Sequence, residues 1–495
     1  MRPTETADDS LREDLRGERA AAPPTPGVAL VSSGGRPMLE GIPLQGGALE
    51  IGREGPVAEV IDDGRMSRRH ARISFDGRAW TVRDLGSRNG TAVDGEELRG
   101  ERSGEGLRVV RAGSSLFLLA RDLNPLRAGV RVVDGTIMGP TLARAWQAIA
   151  RAARFGGTLH LRGESGSGKE LAARAFHALG QRSAGPFVAV NCATIPAGVA
   201  ERLLFGTRNG AYSGADADAE GYVQSAHGGT LFLDEIAELD PAVQAKLLRV
   251  LETREVMPLG ASRPRAVDLA ICSATHKDLR AEVSAGRLRE DLYFRVARPE
   301  VALPPLRARP EDIPWLIERE VRRVEAAAGG GAAGGAGGAA AGELLPRALL
   351  VEACLLRPWP GNVRELVAEI RTAAQEAISA GGTWVEVEHL SPSAGIGFAP
   401  QEEAAPAEGG PASARGGPAS ARGGQASAPA APDREAVEQA LRRERGNISR
   451  AARALGLHRT QLRRLLAKLG IEARRFGEDG SEAEETGGEG ERGPE

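Results

Sequence analysis

Between residues 27 and 122 the apolar positions come in short runs, VALV, ALEIG, ARISF, WTVRDL and LFLLA, separated by Gly and Asp-Gly pairs. Short runs with turn residues between them predict a small β-sandwich. From about residue 132 the pattern changes: the runs GTLHLRG, FVAVN, GTLFLDE and VDLAICSAT alternate with stretches of helical period. That alternation predicts a parallel sheet flanked by helices. A third segment, 433 to 472, is compact and helical throughout. The chain reads as multidomain, with an N-terminal β-sandwich, a central α/β domain and a C-terminal all-α unit.

The stretches between these parts have a different character. Residues 1–24 are charged and Pro-rich and predict disorder. AAAGGGAAGGAGGAAAG, 326 to 342, predicts a flexible insertion between helices, and 395–431 is a Pro/Ala/Gly linker carrying GGPASAR twice, at 409–415 and 416–422. The repeat reads as a tether. Residues 473–495 form an acidic tail. A length of 495 residues exceeds one core and predicts two to four domains. With a net charge of −3, any nucleic-acid contact must be local. No apolar run approaches the roughly 18 residues of a membrane span, and the start MRPTETADDS is unlike a signal peptide. The expectation is a cytoplasmic protein with no membrane partner. Cys192, Cys272 and Cys354 lack metal-ligand spacing and predict buried free thiols.

The chemistry sits in the central part. In LHLRGESGSGKE an apolar strand runs into a Gly-rich turn, and the helix ELAARAFHALG follows. Such a turn lets backbone amides approach phosphates, and the helix N-terminus adds positive potential. The candidate loop is Gly163, Glu164, Ser165, Gly166, Ser167, Gly168, Lys169 and Glu170, with Lys169 reaching the β and γ phosphates. The strict pattern has Ser or Thr where Glu170 stands. GGTLFLDE ends a buried strand in Asp234 and Glu235, at the ligand edge of an α/β sheet. Asp234 suits Mg²⁺, and Glu235 suits polarising a water.

These residues resemble the sigma-54-dependent activators, the bacterial enhancer-binding proteins among the AAA+ ATPases. The resemblance covers about 130 to 394, with six motifs in order, and in that family Glu normally follows the loop lysine. It implies further roles. Asn191 in FVAVNCATIP would pair with the catalytic Glu as a switch. Thr275 and His276 in ICSATHKDL would lie near the γ-phosphate as sensor I. Arg289 and Arg295 in GRLREDLYFRV would be arginine fingers. LPPLRARPEDIPWL would open a helical lid of about 307–394, where Arg364 in RPWPGNVREL reaches the nucleotide as sensor II. Fingers serve a neighbouring subunit's ATP, an effect on the order of 10³–10⁵ in rate. The resemblance therefore implies a homo-oligomeric ring, a hexamer, using ATP and Mg²⁺.

GAYSGA, 210 to 215, stands where that family has Gly-Ala-Phe-Thr-Gly-Ala, the loop that contacts sigma-54. The resemblance assigns Gly210, Ala211, Tyr212, Ser213, Gly214 and Ala215 to sigma-54 RNA polymerase. Tyr for Phe keeps an aromatic face, and Ser for Thr keeps the hydroxyl. Upstream, GTRNGAY replaces the family's frequent GHEKGAF.

Each end carries a recognition pattern. In the sandwich, 25–122, IGRE (51–54), SRRH (67–70) and DLGSRNGT (84–91) have the spacing of a forkhead-associated (FHA) domain, a family that binds phosphothreonine peptides. Carried over, Arg53 and Ser67 contact the phosphate, Asn89 fixes peptide backbone, and Arg68 and Arg88 add charge. His70 reads as a structural hydrogen-bonder. The implied partner is a phosphothreonine protein such as a Ser/Thr kinase. At the other end, GNISRAARALGLHRTQLRRLLAKLGI within 432–472 reads as a helix–turn–helix of the Fis type. Residues 433 to 475 hold 12 Lys and Arg against 5 Asp and Glu, as double-stranded DNA binding requires. His458 and Arg459 open the recognition helix, on which Thr460, Gln461, Arg463 and Arg464 face outward; Arg450 and Arg453 suit phosphates.

The resemblances together imply an ATPase that regulates sigma-54 transcription under phosphopeptide control. A second reading is a DNA-bound phosphopeptide-binding scaffold with a weak ATPase not coupled to sigma-54. A third, a P-loop kinase, has no evident small-substrate site.

Overall fold

A computed structural model describes residues 23–54, 60, 63–211, 217–329, 343–397 and 434–443, with Ala451, Leu455, Leu466 and Ile471. Tyr212 to Ala215, His458 to Gln461, Arg463, Arg464, Arg450, Arg453, the first 22 residues and the tether 398–431 lie outside the described residues.

The N-terminal part is a sandwich of two sheets. Its strands are β1 (Gly27–Ser33), β2 (Arg36–Pro43), β3 (Ala48–Ile51), β4 (Ala71–Phe75), β5 (Trp80–Asp84), β6 (Thr91–Val93), β7 (Glu96–Glu97), β8 (Glu101–Gly104), β9 (Val109–Ala112) and β10 (Ser115–Ala120). One sheet has the order β2-β1-β10-β9-β6-β7 and the other β3-β4-β5-β8, and every pairing is antiparallel. Val28 and Leu30 point inward with Ile51, Ile73, Val82 and Phe117 to form the inter-sheet core. Each such side chain stabilises by roughly 1.5–3 kcal/mol on burial.

After the hairpin β11 (Arg131–Val133) and β12 (Thr136–Met138), helix α1 (Pro140–Phe155) leads into a five-stranded parallel sheet. Its strands are β13 (Thr158–Arg162), β14 (Phe187–Asn191), β15 (Thr230–Asp234), β18 (Ala270–Thr275) and β19 (Glu300–Ala302), ordered β14-β15-β18-β13-β19; β16 (Glu255–Val256) and β17 (Arg265–Ala266) form a separate small hairpin. Helices α2 (Lys169–Ala178), α3 (Ala197–Phe205), α4 (Tyr222–Ser225), α5 (Pro241–Thr253), α6 (Leu279–Ser284) and α7 (Glu290–Val296) connect and flank these strands. β15 and β18 are apolar throughout because their sheet is covered on both faces, as parallel sheets are. Cys192, Cys272 and Cys354 are free and buried.

A helical lid follows: α8 (Ile313–Gly329), α9 (Ala348–Leu356) and α10 (Asn362–Ser379), with the short parallel pair β20 (Leu345–Pro346) and β21 (Trp384–Val385). α8 continues through 326–329, which the glycine-rich composition assigned to the insertion. The reason is local, since Ala326, Ala327 and Ala328 have the highest helix propensity and simply extend the helix. Beyond 401 the chain forms a second compact unit, in which α11 (Arg434–Arg443) is described.

The sandwich and the lid share a core. Along β1 the side chains alternate, and while Val28 and Leu30 enter the sandwich, Ala29 and Val31 face the other way. Ala29, Val31, Val109, Leu116 and Leu118 are buried in one cluster with Ile313, Ile317, Val321 and Val351 of the lid. The six-stranded sheet is therefore covered on both faces, which is why VALV is a continuous apolar run.

Candidate nucleotide site and phosphopeptide edge

The Gly-rich loop leaves β13 between β18 and β19, and Gly163 N–H donates to Thr275 O at 3.2 Å. Lys169 begins α2, nearly buried, and its Nζ lies 3.0 Å from Gly163 O and 3.3 Å from Glu235 Oε1. β14 and β15 run in register so that Asn191 stands beside Asp234. Loop and acids meet at a cavity of about 520 Å³ lined by Ser165, Gly166, Ser167, Gly168, Lys169, Glu170, Asn191, Asp234, Glu235 and Arg364, among others. Ser167 Oγ is buried there without a hydrogen-bond partner.

Burial raises the Asp234 carboxyl above its ordinary value even though Lys169 opposes it, and neighbouring Glu235 adds to the rise. Burial also raises the Glu235 carboxyl, but Lys169 and the hydrogen bond from His276 outweigh it and leave it below the ordinary value. Glu235 has a left-handed backbone, φ 52°, a strained conformation that aims its carboxylate across the strand ends. Thr275 Oγ1 donates to Glu235 Oε2 at 3.1 Å, and His276 Nδ1 lies 2.9 Å from the same oxygen.

Several expected roles fall differently. Thr275 and His276 are not on the cavity wall; they hold Glu235 from behind. Asn191 lines the cavity, but its Oδ1 accepts from Ala193 N–H at 3.0 Å instead of meeting Glu235, because a short amide side chain readily caps the turn that follows it. Gly163 is off the wall and receives Lys169, and Glu164 is turned away in a two-point pair with Arg307, 2.8 and 2.6 Å. Glu170 lines the rim with its carboxylate on Arg174. Arg364 donates to Ser165 Oγ at 3.0 Å, so it reaches the loop from the lid. Arg289 and Arg295 lie outside this cavity: Arg289 pairs with Asp291, and Arg295 donates to Leu251 O.

The lid grips the loop through residues that motif reading passed over. Arg307 holds Glu164, and the buried Arg309 donates to Ser167 O at 3.0 Å. Asn362 Nδ2 donates to Ser165 O at 2.9 Å and to Glu164 at 3.1 Å, while its Oδ1 accepts from Leu306 N–H at 2.7 Å. Loop and lid touch so closely that a methyl group at Gly166 would lie 2.1 Å from Gly361 O. Ile137, Leu142, Trp146, Leu316 and Val363 add an apolar wall to the cavity, of a kind suited to a flat base. The charge pattern LRARPED did not disclose these contacts, because only Arg309 pairs within it, with Asp312, while Arg307 reaches Glu164 far away in sequence.

On the sandwich, Arg53, Ser67, Arg68, Arg88 and Asn89 gather on the β3–β4 and β5–β6 connections. Arg53 N–H donates to Ser67 O, Arg88 N–H to Ser67 Oγ, and Asn89 Nδ2 to Arg65 O, at 3.0, 3.0 and 2.6 Å. His70 is buried beneath them. Its Nδ1 accepts from Ser67 N–H, and its Nε2 lies 3.0 Å from Gly90 O, so it ties the two connections together. The arginine side chains of Arg53, Arg68 and Arg88 are exposed, and Arg68 reaches Glu54 only loosely at 3.8 Å.

A Gly-rich loop on a parallel sheet, an acid pair at a strand end and a helical lid define an AAA+ P-loop domain, here joined to an FHA-type sandwich. Comparison with known proteins gives the family. A model of the sigma-54 interaction domain matches residues 137–302, one of the FHA domain matches 49–109, and one of bacterial regulatory proteins of the Fis family matches 430–469. The response regulator protein PilR of Pseudomonas aeruginosa is 38% identical over 347 residues, 69% of this chain and 71% of that one. The transcriptional regulatory protein XylR of Pseudomonas putida is 39% identical over 350 residues, 70% of this chain and 59% of that one. A crystal structure of NtrX from Brucella abortus matches with a TM-score of 0.47 at 30% identity, covering 68% of this chain and 69% of that one. The chain belongs to the sigma-54 activator family, and carries an FHA domain and a Fis-type helix–turn–helix. It spans less than two thirds of XylR. Among the described residues no helix is long and apolar enough to cross a membrane.

Proposed function

We propose that this protein is a sigma-54-dependent transcriptional regulator. An oligomeric ring, a hexamer, couples ATP hydrolysis to remodelling of the sigma-54 RNA polymerase holoenzyme while the Fis-type unit holds upstream double-stranded DNA. Recognition of a phosphothreonine protein by the FHA domain controls it. One observation carries the reading: Lys169, Asp234 and Glu235 converge on one cavity, while Arg289 and Arg295 lie outside it on the exposed surface, and serving a neighbour's nucleotide would exchange their present partners, Asp291 and Leu251 O, for phosphate.

In this reading Lys169 and the loop amides bind the phosphates, and the lid's Arg364 closes over them. Glu235 accepts the proton of the attacking water; Thr275 and His276 fix its orientation. Mg²⁺ fits Asp234, whose half-buried carboxylate is only partly compensated by Lys169. No cluster of three metal-binding side chains exists among the described residues, so the ion would take its other ligands from phosphate and water, as Mg²⁺ commonly does. The ion would neutralise charge on the transferred phosphoryl group. The GAYSGA loop, 210 to 215, would carry Tyr212 to sigma-54.

The test uses two inactive proteins. Glu235→Gln is expected to bind ATP but lose turnover by about 10²-fold or more, the scale of general-base catalysis. Arg295→Ala is expected to lose turnover through its neighbour's site. Mixing the two should restore a measurable fraction, because some interfaces then pair an intact Glu235 with an intact Arg295. Full turnover by Glu235→Gln alone, or no recovery on mixing, would refute the shared-site reading.

A further inference from the structure

The FHA edge and the ATPase lid are joined by a continuous set of contacts. Its centre is Asp63, buried just before the recognition residue Ser67. Asp63 Oδ1 accepts from Arg65 N–H at 3.0 Å, and Arg65 O is the acceptor for Asn89. Asp63 Oδ2 accepts from Ser114 N–H at 2.7 Å and from Ser115 Oγ at 2.8 Å, in the β9–β10 turn. Ser115 Oγ in turn lies 2.9 Å from Ser33 Oγ, and Gly34 N–H donates to Ser114 O, which fixes the β1–β2 turn. That turn rests on the lid. Gly35 has φ 82°, and a methyl group there would lie 2.6 Å from the carbonyl oxygen of Pro346 in β20.

Beside this path the seam is closed by charge as well as apolar surface. Arg111, one residue before the end of β9, meets the almost fully buried Glu352 of α9 at 2.7 Å. Arg36 pairs with Glu343, and Arg108 donates to Leu356 O at 3.3 Å. The same lid supplies Leu316, Val363 and Arg364 to the nucleotide cavity, and Leu316 also belongs to the core shared with the sandwich. Packed cores and buried pairs have few alternative arrangements, so they pass on a displacement instead of absorbing it.

We propose that phosphopeptide binding at the FHA edge and nucleotide binding under the lid are thermodynamically linked through this intramolecular seam, with Asp63 and the Arg111–Glu352 pair as its positioning elements. The proposal rests on the phosphopeptide reading given above. A peptide that reorders the connection around Ser67 and Asn89 moves the support of Asp63, hence the two turns, hence β20 and the lid. The linkage acts within one chain and needs no contact between the phosphopeptide and the ATPase.

The experiment uses the full chain and a phosphothreonine peptide selected from a degenerate library, with its unphosphorylated twin as control. ADP affinity is measured with and without saturating peptide, and peptide affinity with and without saturating ADP. The phosphopeptide should change ADP affinity by about fivefold or more, the ordinary lower range of allosteric coupling, and ADP must change peptide affinity by the same factor. Glu352→Gln keeps the shape of the pair and removes its charge; it should bring both factors toward one while each ligand still binds. Arg108→Ala, an exposed change, should reduce them partially and guards against misfolding of the first variant. Intact binding of both ligands with no mutual effect would overturn the linkage alone. Undiminished coupling in both variants would overturn the seam as its route. A peptide that fails to bind at all would overturn the phosphopeptide reading and the linkage with it.

Discussion

At the scale of single residues, two side chains make opposite use of burial. His160 on β13 is 1% exposed, with Nδ1 2.9 Å from Ser273 Oγ. Burial, helped by the positive Arg162, holds its imidazole down to about 4, against 6.5 in an unfolded chain. Between those values the unfolded state takes up a proton that the folded state refuses. Stability is therefore complete above pH 6.5 and is lost as pH falls from 6.5 to 4, by roughly 3 kcal/mol in all. We expect the Tm to fall between pH 7 and pH 5, and His160→Gln to flatten that slope. An unchanged acid slope in the variant would remove His160 from the account. Ser67, in the function proposed above, is a polar group held for a ligand. Its Oγ accepts from Arg88 N–H, and its backbone is fixed by His70 and Arg53. Ser67→Ala or Arg53→Ala should abolish preference for a phosphorylated peptide over its unphosphorylated twin, since each charge-assisted bond contributes roughly 1.5–3 kcal/mol. The checks are a binding titration with both peptides and an ATPase assay; basal turnover should stay nearly native.

At the scale of elements, the lid is positioned by one asparagine. Asn362 starts α10 with φ 52°, a conformation Asn tolerates better than most residues. It is fully buried and bridges Leu306, Ser165 and Glu164. Asn362→Ala should leave Leu306 N–H unpaired and cost about 1–3 kcal/mol. It should also weaken ATP binding measured by titration, because Arg364 and Val363 follow it directly. Native affinity in this variant would show that the lid is positioned by Arg307 and Arg309 alone. None of these contacts was legible in the sequence. The loop, the acid pair and their strands were, because apolar runs and phosphate-binding turns are local patterns. Asn362, Arg307 and Arg309 act on Ser165, Glu164 and Ser167 across more than 140 positions of sequence. The helical extension at 326–329 was missed because glycine content masked the alanines that continue α8.

At the scale of the whole molecule, the sequence divided the chain into parts but did not show that two of them share a core. The signal was present in VALV and LFLLA, runs apolar at every position, which a sandwich with one wet face does not require. Both faces of β1 and β10 are buried, one by the opposite sheet and one by α8 and α9. The FHA sandwich is thus seated directly on the helical lid of the nucleotide domain. The account as a whole stands on conversion of ATP hydrolysis into work on sigma-54, so the most direct measurement is open-complex formation at a sigma-54 promoter. It uses purified chain, sigma-54 holoenzyme and ATP, with turnover followed in parallel. The native chain should open the promoter only with hydrolysable nucleotide, Tyr212→Phe should do the same, and Tyr212→Ala should hydrolyse ATP while leaving the promoter closed. A native chain that turns over ATP without opening the promoter, or a Tyr212→Ala chain that opens it fully, would contradict the account.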